Sequence, residues 1–302
     1  MFAAAALTSM LIPALAAQQK KAPPPKPEYA GSEMCGACHE EIAKTFAKTP
    51  HYIVETDKRR GFEGKACESC HGPGAKHAES ADKKDILNPG KVAGEPGSKN
   101  CLGCHLNQPT RLGLLKNGHI RHQVGCASCH SVHLGTLVAR SRREINQQCS
   151  GCHTDVWASF QRPHAHRLRE GAMSCADCHN PHGSFLARAI RTEAGNSPNC
   201  ISCHADKRGP FTFEHAPVRL EGCRACHEPH GSANPRMLTR AEVRYQCLEC
   251  HSNIAGPQAA SSAGTIGGVP PGLHDMRSPR YRNCTICHVK VHGSYVNRAL
   301  LR

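Results

Sequence analysis

The chain has 302 residues, a length that usually forms two globular domains, but its composition excludes an ordinary pair of apolar cores. Aromatic residues make up only 4% of the chain, and the 39% that are hydrophobic include 20 cysteines. The net charge of +14 first suggests nucleic acid or an anionic membrane as a partner, yet the aromatic residues that stack on single-stranded nucleic acid are scarce. Because ordinary apolar side chains are so few, we expect a cofactor to fill the interior.

The N-terminus is predicted to be a signal peptide over residues 1–16. This stretch is apolar, ends in an Ala-x-Ala cleavage pattern and is too short to span a membrane. It lacks a basic start, which fits a truncated or wrongly assigned first residue. Residues 17–28 are charged and proline-rich, so we expect an extended, semi-rigid linker there.

Every cysteine belongs to a C-x-x-C-H motif, which occurs ten times. The cysteines are Cys35, Cys38, Cys67, Cys70, Cys101, Cys104, Cys126, Cys129, Cys149, Cys152, Cys175, Cys178, Cys200, Cys203, Cys223, Cys226, Cys247, Cys250, Cys284 and Cys287. The motif histidines are His39, His71, His105, His130, His153, His179, His204, His227, His251 and His288. C-x-x-C-H is the attachment signal for c-type haem: the thiols add to the haem vinyl groups, and the adjacent imidazole reaches the iron.

Other uses of paired cysteines fit this pattern poorly. A disulfide framework gives no reason for a histidine after every second cysteine. Structural zinc does not need that histidine ten times, and a thioredoxin-like motif would occur once, on a βαβ scaffold. The sequence therefore predicts ten covalently bound haem c groups. Because bacterial chains receive such haem after export, we expect a soluble periplasmic protein, with lysines and arginines as counterions of the haem propionates.

The motifs recur at short intervals, which indicates a linear array of small units over residues 29–302. Taken in pairs, they predict five two-haem modules over residues 29–100, 101–148, 149–199, 200–246 and 247–302. The expected fold class is a multihaem cytochrome c, elongated, with short helices and long loops around a row of ten haems. Helical turns are predicted at residues 40–48 and 154–161, and a nearly low-complexity loop at residues 255–272.

The histidines outside the motifs can provide the second axial ligand of each iron. One lies between the two motifs of each pair: His51, His119, His164, His215 and His274. Another follows the second motif of each pair: His77, His133, His182, His230 and His292. His122 and His166 remain alternatives to His119 and His164. His164 is preferred because His164-Ala165 matches His215-Ala216. This regular placement predicts bis-histidine ligation, since the six methionines do not recur in register.

The trailing histidines are predicted to serve a haem other than their own. His182 follows His179 by three residues, too few for the chain to pass around the edge of the macrocycle. We expect His182 to reach the haem of Cys149 and Cys152 or the haem of Cys200 and Cys203. The same argument applies to His133, His230 and His292.

Several segments resemble the decahaem cytochromes of the MtrA/DmsE family. They include CGACHEEI at 35–42, CADCHNPHGS at 175–184, CRACHEPHGS at 223–232 and CTICHVKVHGS at 284–294, and the resemblance runs from about Tyr29 to the C-terminus. It implies a periplasmic electron carrier, associated with the outer membrane, that threads a β-barrel porin. Its implied partners are an extracellular multihaem cytochrome or metal oxide and periplasmic or inner-membrane cytochromes. The implied role is extracellular metal reduction or Fe(II) oxidation.

Two other functions remain open. A multihaem redox enzyme, such as a nitrite or hydroxylamine enzyme, would need one five-coordinate iron to bind its substrate. Such enzymes commonly have an altered attachment motif, whereas this sequence keeps ten uniform motifs and enough histidines for every iron. We therefore predict no catalytic residue. A soluble periplasmic shuttle or a filament-forming cytochrome is the remaining alternative.

Overall fold

The computed structural model describes residues 28–111, 113–134, 140–191, 199–251, 279 and 283–301. The predicted signal peptide, nearly all of the predicted linker, the loop at 255–272 and His274 lie outside these residues.

Short helices joined by turns and loops make up most of the described chain. The α-helices are α1 (Ser32–Cys38), α2 (Glu40–Phe46), α3 (Ala66–His71), α4 (Ala75–Ser80), α5 (Gly94–His105), α6 (Gly118–Arg121), α7 (Arg142–Ser150), α8 (Thr154–Ser159), α9 (Cys175–Cys178), α10 (Cys200–Cys203), α11 (Ala216–Leu220) and α12 (Val243–Leu248). The strands β1 (Phe213–Glu214) and β2 (Gly293–Ser294) pair antiparallel. The helical turns predicted at 40–48 and 154–161 correspond to α2 and α8.

Each attachment motif folds into a helical turn. The backbone N–H of the motif histidine donates to the carbonyl of the first cysteine, as from His179 to Cys175 at 2.8 Å and from His204 to Cys200 at 3.0 Å. Residues three and four positions apart lie on the same face of such a turn. The local fold therefore presents two thiols and one imidazole on the same side.

Helices α5, α7 and α12 run across three of the predicted module boundaries. They contain residues 100–101, 148–149 and 246–247, because the helix that leads into a motif continues into the motif's own turn. The start of α7 is stabilised by a capping box, in which Ser141 Oγ accepts from the Glu144 N–H and the Glu144 carboxylate accepts from the Ser141 N–H.

Buried polar side chains outnumber buried apolar ones among the described residues. The buried apolar residues are Ala66, Leu114, Phe160 and Leu168. Most of the polar residues are hydrogen-bonded to backbone, as buried polar groups usually are; Thr49 Oγ1 has no partner among the described residues. Ser98 Oγ donates to the Gly94 carbonyl at 2.9 Å and accepts the Cys126 N–H at 3.0 Å. Local hydrogen bonds, and not a large apolar core, therefore hold the attachment motifs.

Asn146 makes the corresponding contacts in the next module. Its amide nitrogen donates to the carbonyls of Leu168 and Met173, at 3.0 and 2.9 Å, and its amide oxygen accepts the Cys175 N–H at 2.9 Å. The side chain is 1% exposed. A single asparagine on α7 thus holds the backbone at Cys175, where the second motif of the next module begins.

Contacts between modules join sequence neighbours throughout the described part of the chain. Arg162 Nη1 donates to the Gly231 carbonyl at 3.0 Å, and β1 pairs with β2 of the following module. Both contacts run between successive predicted modules, and the division into five modules stays a prediction. No helix within the described ranges has both the length and the apolar character needed to cross a membrane.

Candidate haem-binding sites

Nine motif histidines each face one histidine from elsewhere in the chain. The distance between ring centroids is 5.8 Å in the closest pair and 6.3 Å in the widest. The pairs are His39–His77, His71–His133, His105–His51, His130–His182, His153–His119, His179–His230, His204–His166, His227–His292 and His251–His215. The tenth motif histidine, His288, is described, but its predicted partner His274 is not.

The spacing of these pairs fits an iron between two imidazoles. Metal–nitrogen bonds of about 2 Å on each side, with the radius of each ring added, place the two ring centroids about 6 Å apart. Rings in direct van der Waals stacking would lie closer together. Apolar side chains beside the motifs, such as Ile286 and Val289, are exposed and suit contact with an apolar porphyrin face. The residues present therefore fit a haem at these sites.

Backbone carbonyls fix the tautomer of seven imidazoles. Each Nδ1 lies 2.6–3.2 Å from a carbonyl oxygen, which leaves Nε2 as the metal-binding nitrogen. The histidine and carbonyl pairs are His71–Leu87, His77–Asp82, His119–Pro181, His166–Pro229, His179–Arg188, His227–Arg236 and His288–Ala299. The pair His51–His105 differs, because both Nδ1 atoms are buried without a partner among the described residues.

Burial favours the neutral form of several of these histidines. It lowers the pKa of His182 to about 4, and the positive charge of Arg111 lowers this pKa further. Burial also lowers the pKa of His130, His133 and His230. Neutral imidazole is the form that binds a metal, so the charge state suits ligation.

All 20 cysteines are free of disulfides, and each is at least partly exposed. The first cysteines of paired motifs come together. A hydrogen bond between the thiols of Cys101 and Cys126 raises the pKa of Cys101 and lowers that of Cys126, and Cys149 and Cys175 interact in the same way. The two motifs of a pair are therefore neighbours in space as well as in sequence.

Cysteines from successive pairs also approach each other. The pKa of Cys101 is raised mainly by its hydrogen bond with Cys126 and by burial, and more weakly by the charge of Cys70. The pKa of Cys200 is raised mainly by Cys223 and by burial, and more weakly by Cys178. The pKa of Cys247 is raised mainly by Cys284 and by burial, and more weakly by Cys226. The attachment motifs therefore form one row whose spatial order follows the order of the chain.

A recurring loop follows the second motif of a pair and returns to hold that motif's histidine. After His179 the chain turns and comes back, so that the Arg188 carbonyl accepts from His179 Nδ1 and the Arg191 N–H donates to the Cys178 carbonyl at 2.9 Å. The loop after His227 makes the equivalent contacts, and there the Thr239 N–H donates to the Cys226 carbonyl at 2.9 Å. Each loop thus fixes one imidazole while carrying another, His182 or His230, to a different site.

Each of these loops contains a His-Gly-Ser sequence that lies against the preceding module. At Gly183, where φ is +111°, a Cβ atom would come within 2.7 Å of the Gly113 carbonyl oxygen. Gly231 and Gly293 also have positive φ, and a Cβ atom would meet the Ser159 carbonyl oxygen at Gly231 and the Phe211 ring at Gly293. Glycine is required at these positions because a backbone or ring of the preceding module leaves no room for a side chain.

The same interfaces bring together two histidines that are exchanged between modules. His119 Nδ1 donates to the carbonyl of Pro181, the residue just before His182. His166 Nδ1 donates to Pro229, just before His230, and His215 is hydrogen-bonded to the backbone of Val291, just before His292. At each interface, a single peptide group therefore connects two histidines. One of them faces one motif of the row and the other faces the next motif, as His182 faces His130 and His119 faces His153.

The structure places His166, and not the preferred His164, opposite His204 at 6.3 Å. The reason is the register of the strand-like contact. The backbone of His164 pairs with Ser232 in an isolated bridge, just as Phe213 pairs with Ser294. The residue that faces a motif histidine lies two positions further on, which is His166 in one case and His215 in the other.

The structure also shows which residues His119 and the trailing histidines face. The His119 ring faces His153 at 6.1 Å, and the choice of His119 over His122 as a ligand stays a prediction. None of the four trailing histidines faces the motif that it follows. A partner was predicted for His182 alone, and that prediction is wrong, because the His182 ring faces His130, in the preceding module, and neither of the two motifs that we expected. His133, His230 and His292 follow the same rule.

The exchange of histidines is therefore reciprocal. A histidine between the motifs of one module faces the first motif of the next module, as His51 faces His105. A trailing histidine faces the second motif of the previous module. The first module departs from this rule, because His77 faces His39 within the same module.

Paired imidazoles beside nine of the ten C-x-x-C-H turns define the class: this is a multihaem c-type cytochrome, and the predicted fold class is confirmed. Two family models match, "Doubled CXXCH motif" over residues 166–209 and 215–256, and "Cytochrome c554 and c-prime" over residues 74–131. The two doubled-motif segments begin at His166 and His215, the residues that the strand register makes equivalent.

Comparison with curated proteins defines the family. The chain is 35% identical to the multiheme cytochrome MtrA of Shewanella baltica, over 87% of this chain and 78% of that protein. It is 23% identical to a high-molecular-weight cytochrome c of Nitratidesulfovibrio vulgaris, over 86% of this chain and 50% of that protein. The cytochrome c-type protein NrfB of Escherichia coli is 32% identical over 30% of this chain and 49% of its own length. The chain belongs to the MtrA family of multihaem cytochromes, which are electron-transfer proteins that carry haem c.

Sequence reasoning missed the buried side chains that hold the motifs in place. Ser98, Asn146 and Glu68 carry no motif, and serine, asparagine and glutamate usually lie at the surface. Their positions just before or within an attachment motif were the available signal. That signal is weak at Glu68, whose equivalents are Ala127, Ala176, Arg224 and Thr285. It is stronger three residues before the first motif of each pair, where the chain carries Ser32, Ser98, Asn146, Ser197 and Arg244.

Proposed function

We propose that this protein carries electrons along ten bis-histidine haem c groups between the periplasm and the cell exterior, through an outer-membrane β-barrel partner. The process served is extracellular metal reduction or Fe(II) oxidation. The exchange partners are an extracellular multihaem cytochrome or metal oxide on one side and periplasmic or inner-membrane cytochromes on the other. The observation that carries the proposal is the row of attachment motifs, nine of which have two facing imidazoles in the described residues.

The ligand scheme assigns one proximal and one distal histidine to each haem. The nine facing pairs supply nine haems, and we assign His274 to the tenth, beside His288, because it is the remaining histidine of its module. His122 and His164 are then the two histidines without a ligand role. When bound, each haem supplies a one-electron Fe(III)/Fe(II) couple. The histidines hold both axial positions, so that no iron needs to bind a substrate.

The distribution of basic residues supports a carboxylate-rich environment along most of the chain. Before residue 100 the only arginines are Arg59 and Arg60, and the other cationic residues are lysines. After residue 100 the only lysines are Lys116, Lys207 and Lys290, and the others are arginines. Arginine binds carboxylates through two parallel hydrogen bonds, whereas lysine is a hydrated point charge. Haem propionates and acidic side chains of an enclosing partner would both favour arginine over residues 101–302.

The haem count and the coordination state test the first part of the proposal. Pyridine haemochrome quantification is expected to give ten haems per chain, and electron paramagnetic resonance is expected to show only low-spin iron. A substantial high-spin signal in the native protein would exclude a pure electron carrier. It would favour the multihaem redox enzyme with one open iron.

A second experiment tests the membrane partner. The chain is co-expressed with a candidate outer-membrane β-barrel protein from the same organism, and the purified complex is inserted into vesicles that enclose a reduced dye. External Fe(III) is expected to oxidise the dye only when both proteins are present. Equal rates with the barrel alone, or no complex between the two proteins, would exclude the outer-membrane role and favour a soluble shuttle.

A further inference from the structure

Glu68 is a carboxylate buried inside the second attachment motif, between Cys67 and Cys70. It is 3% exposed. Its partners among the described residues are three backbone N–H groups: Ala30 and Gly74 donate to Oε1 at 2.9 and 2.7 Å, and Gly31 donates to Oε2 at 3.0 Å. Hydrogen bonds of this number stabilise the ionised form of a carboxylate. The side chain therefore places a negative charge inside the first module.

This charge lies next to the first haem-attachment site. Gly31, which donates to Glu68, accepts from Cys35 through its own carbonyl, with Sγ 3.2 Å from the oxygen. Burial, the neighbouring Cys67 and the Glu68 charge together raise the pKa of the Cys35 thiol to about 11. Cys35 is one of the two sulfurs to which the first haem is attached. The Glu68 carboxylate is therefore one residue away from a thioether of that haem.

Other buried side chains that hold an attachment motif are neutral. Ser98 accepts the N–H of Cys126, and Asn146 accepts the N–H of Cys175, in both cases with an uncharged oxygen. At the position of Glu68, the second residue of the second motif, the next two modules carry Ala127 and Ala176. Hydrogen bonding to the motif backbone therefore does not require a charge, and Glu68 adds an electrostatic effect.

We propose that Glu68 lowers the reduction potential of both haems of the first module, on Cys35 and Cys38 and on Cys67 and Cys70, making this module a low-potential end of the row. This inference rests on the proposed function. A buried anion stabilises ferric over ferrous iron, because the ferric haem carries one more positive charge and little water screens the interaction. An electron that reaches this module is then retained weakly and moves on to the haems of the next module.

The test needs a spectroscopic marker for one haem among ten. His77→Met provides it, because His77 faces His39 and methionine would give the first haem a distinct sulfur-to-iron absorption band. In this background, Glu68→Gln is compared with Glu33→Gln in a spectroelectrochemical titration of that band. Glu33 is the matched control, since it lies two residues before Cys35 and carries the same charge but is exposed.

Loss of Glu68 is expected to lower the ratio of ferric to ferrous marker haem about tenfold at a fixed potential, a rise of about 59 mV for a one-electron couple. Glu33→Gln is expected to shift the ratio less than twofold, because water and salt screen its charge. Equal shifts in both variants, or none in Glu68→Gln, would overturn the inference. If the sulfur band is absent with His77→Met alone, the ligand assignment fails instead.

Two further measurements separate charge from structure. Glu68→Asp keeps the charge but shortens the side chain, so it is expected to lose stability while retaining the low potential. If Glu68→Gln does not assemble, the inference is tested in the His77→Met protein instead, by measuring the reduction potential of the marker haem at low and high salt. A buried carboxylate predicts a nearly constant potential from low to high salt, and a rise of the full expected size would overturn the inference.

Discussion

The ring of His182 lies 5.8 Å from the ring of His130, in the preceding module, and not beside the attachment motif that His182 follows. The Pro181 carbonyl just before His182 accepts from His119, which faces His153. Each of these two modules thus supplies a histidine that faces a motif histidine of the other.

The first prediction concerns His182→Met. The variant is expected to give one methionine-ligated haem, bound at Cys126 and Cys129, with a raised potential and a sulfur-to-iron band. To identify that haem, the substitution is repeated in two backgrounds that each lack one haem. Replacing Cys126 and Cys129 with alanine should abolish the band, and replacing Cys175 and Cys178 should leave it. The opposite result would contradict the exchange between modules.

The second prediction separates His166 from His164. His166→Ala removes the ring opposite His204, so one haem per chain should become high-spin, and added imidazole should restore the low-spin signal. His164→Ala is the control and should leave all haems low-spin, because His164 contributes its backbone to the bridge with Ser232. Electron paramagnetic resonance distinguishes the two. A high-spin haem in His164→Ala alone would show that the strand register misassigns the ligand.

These two sites show what the sequence could and could not determine. The motifs determine haem attachment and the motif histidine, because both are local features of a five-residue turn. The choice of His164 relied on similarity to His215-Ala216, whereas the true equivalence depends on which backbone residues pair with the next module. The partner of His182 likewise depends on a loop that folds back over the preceding module. Both require the three-dimensional register, and short polar repeats leave that register open.

The third prediction concerns the close approach of two backbones at Gly183. Gly183→Ala adds a Cβ atom within 2.7 Å of the Gly113 oxygen at a residue with positive φ. Strain and overpacking are expected to cost about 2–5 kcal/mol together and to lower the denaturation midpoint. Gly222→Ala is the matched control, since φ is +80° there but no atom lies within 4 Å. If both variants lose equal stability, the contact with Gly113 is unimportant.

The fourth prediction concerns Asn146. Asn146→Ala leaves the carbonyls of Leu168 and Met173 and the N–H of Cys175 without their partner, so a loss of about 2–4 kcal/mol is expected. Asn107→Ala, at an exposed position, should change stability by less than about 0.5 kcal/mol. Chemical denaturation followed by haem absorbance measures both. An unchanged midpoint for Asn146→Ala would mean that water replaces the amide at no cost.

The fifth prediction concerns folding without haem. A chain with all 20 cysteines changed to serine is expected to show no cooperative thermal transition, because the described residues bury few apolar side chains and the cofactor supplies the core. Circular dichroism against temperature is the measurement, with the native protein as the control. A sharp transition in the serine variant would show that the polypeptide alone specifies the fold.

The reciprocal exchange of histidines also determines how such a protein can grow or be shortened. Each interior module receives one histidine from either neighbour and gives one to each, so a duplicated module inserted between two others finds its ligands already supplied. A chain cut at a module boundary leaves an unpaired motif histidine on both sides of the cut, as at His130 and His153 when residues 101–148 are separated from residue 149 onward. Lengthening in two-haem steps preserves every iron, whereas a broken or prematurely terminated chain ends in an iron with one open coordination position.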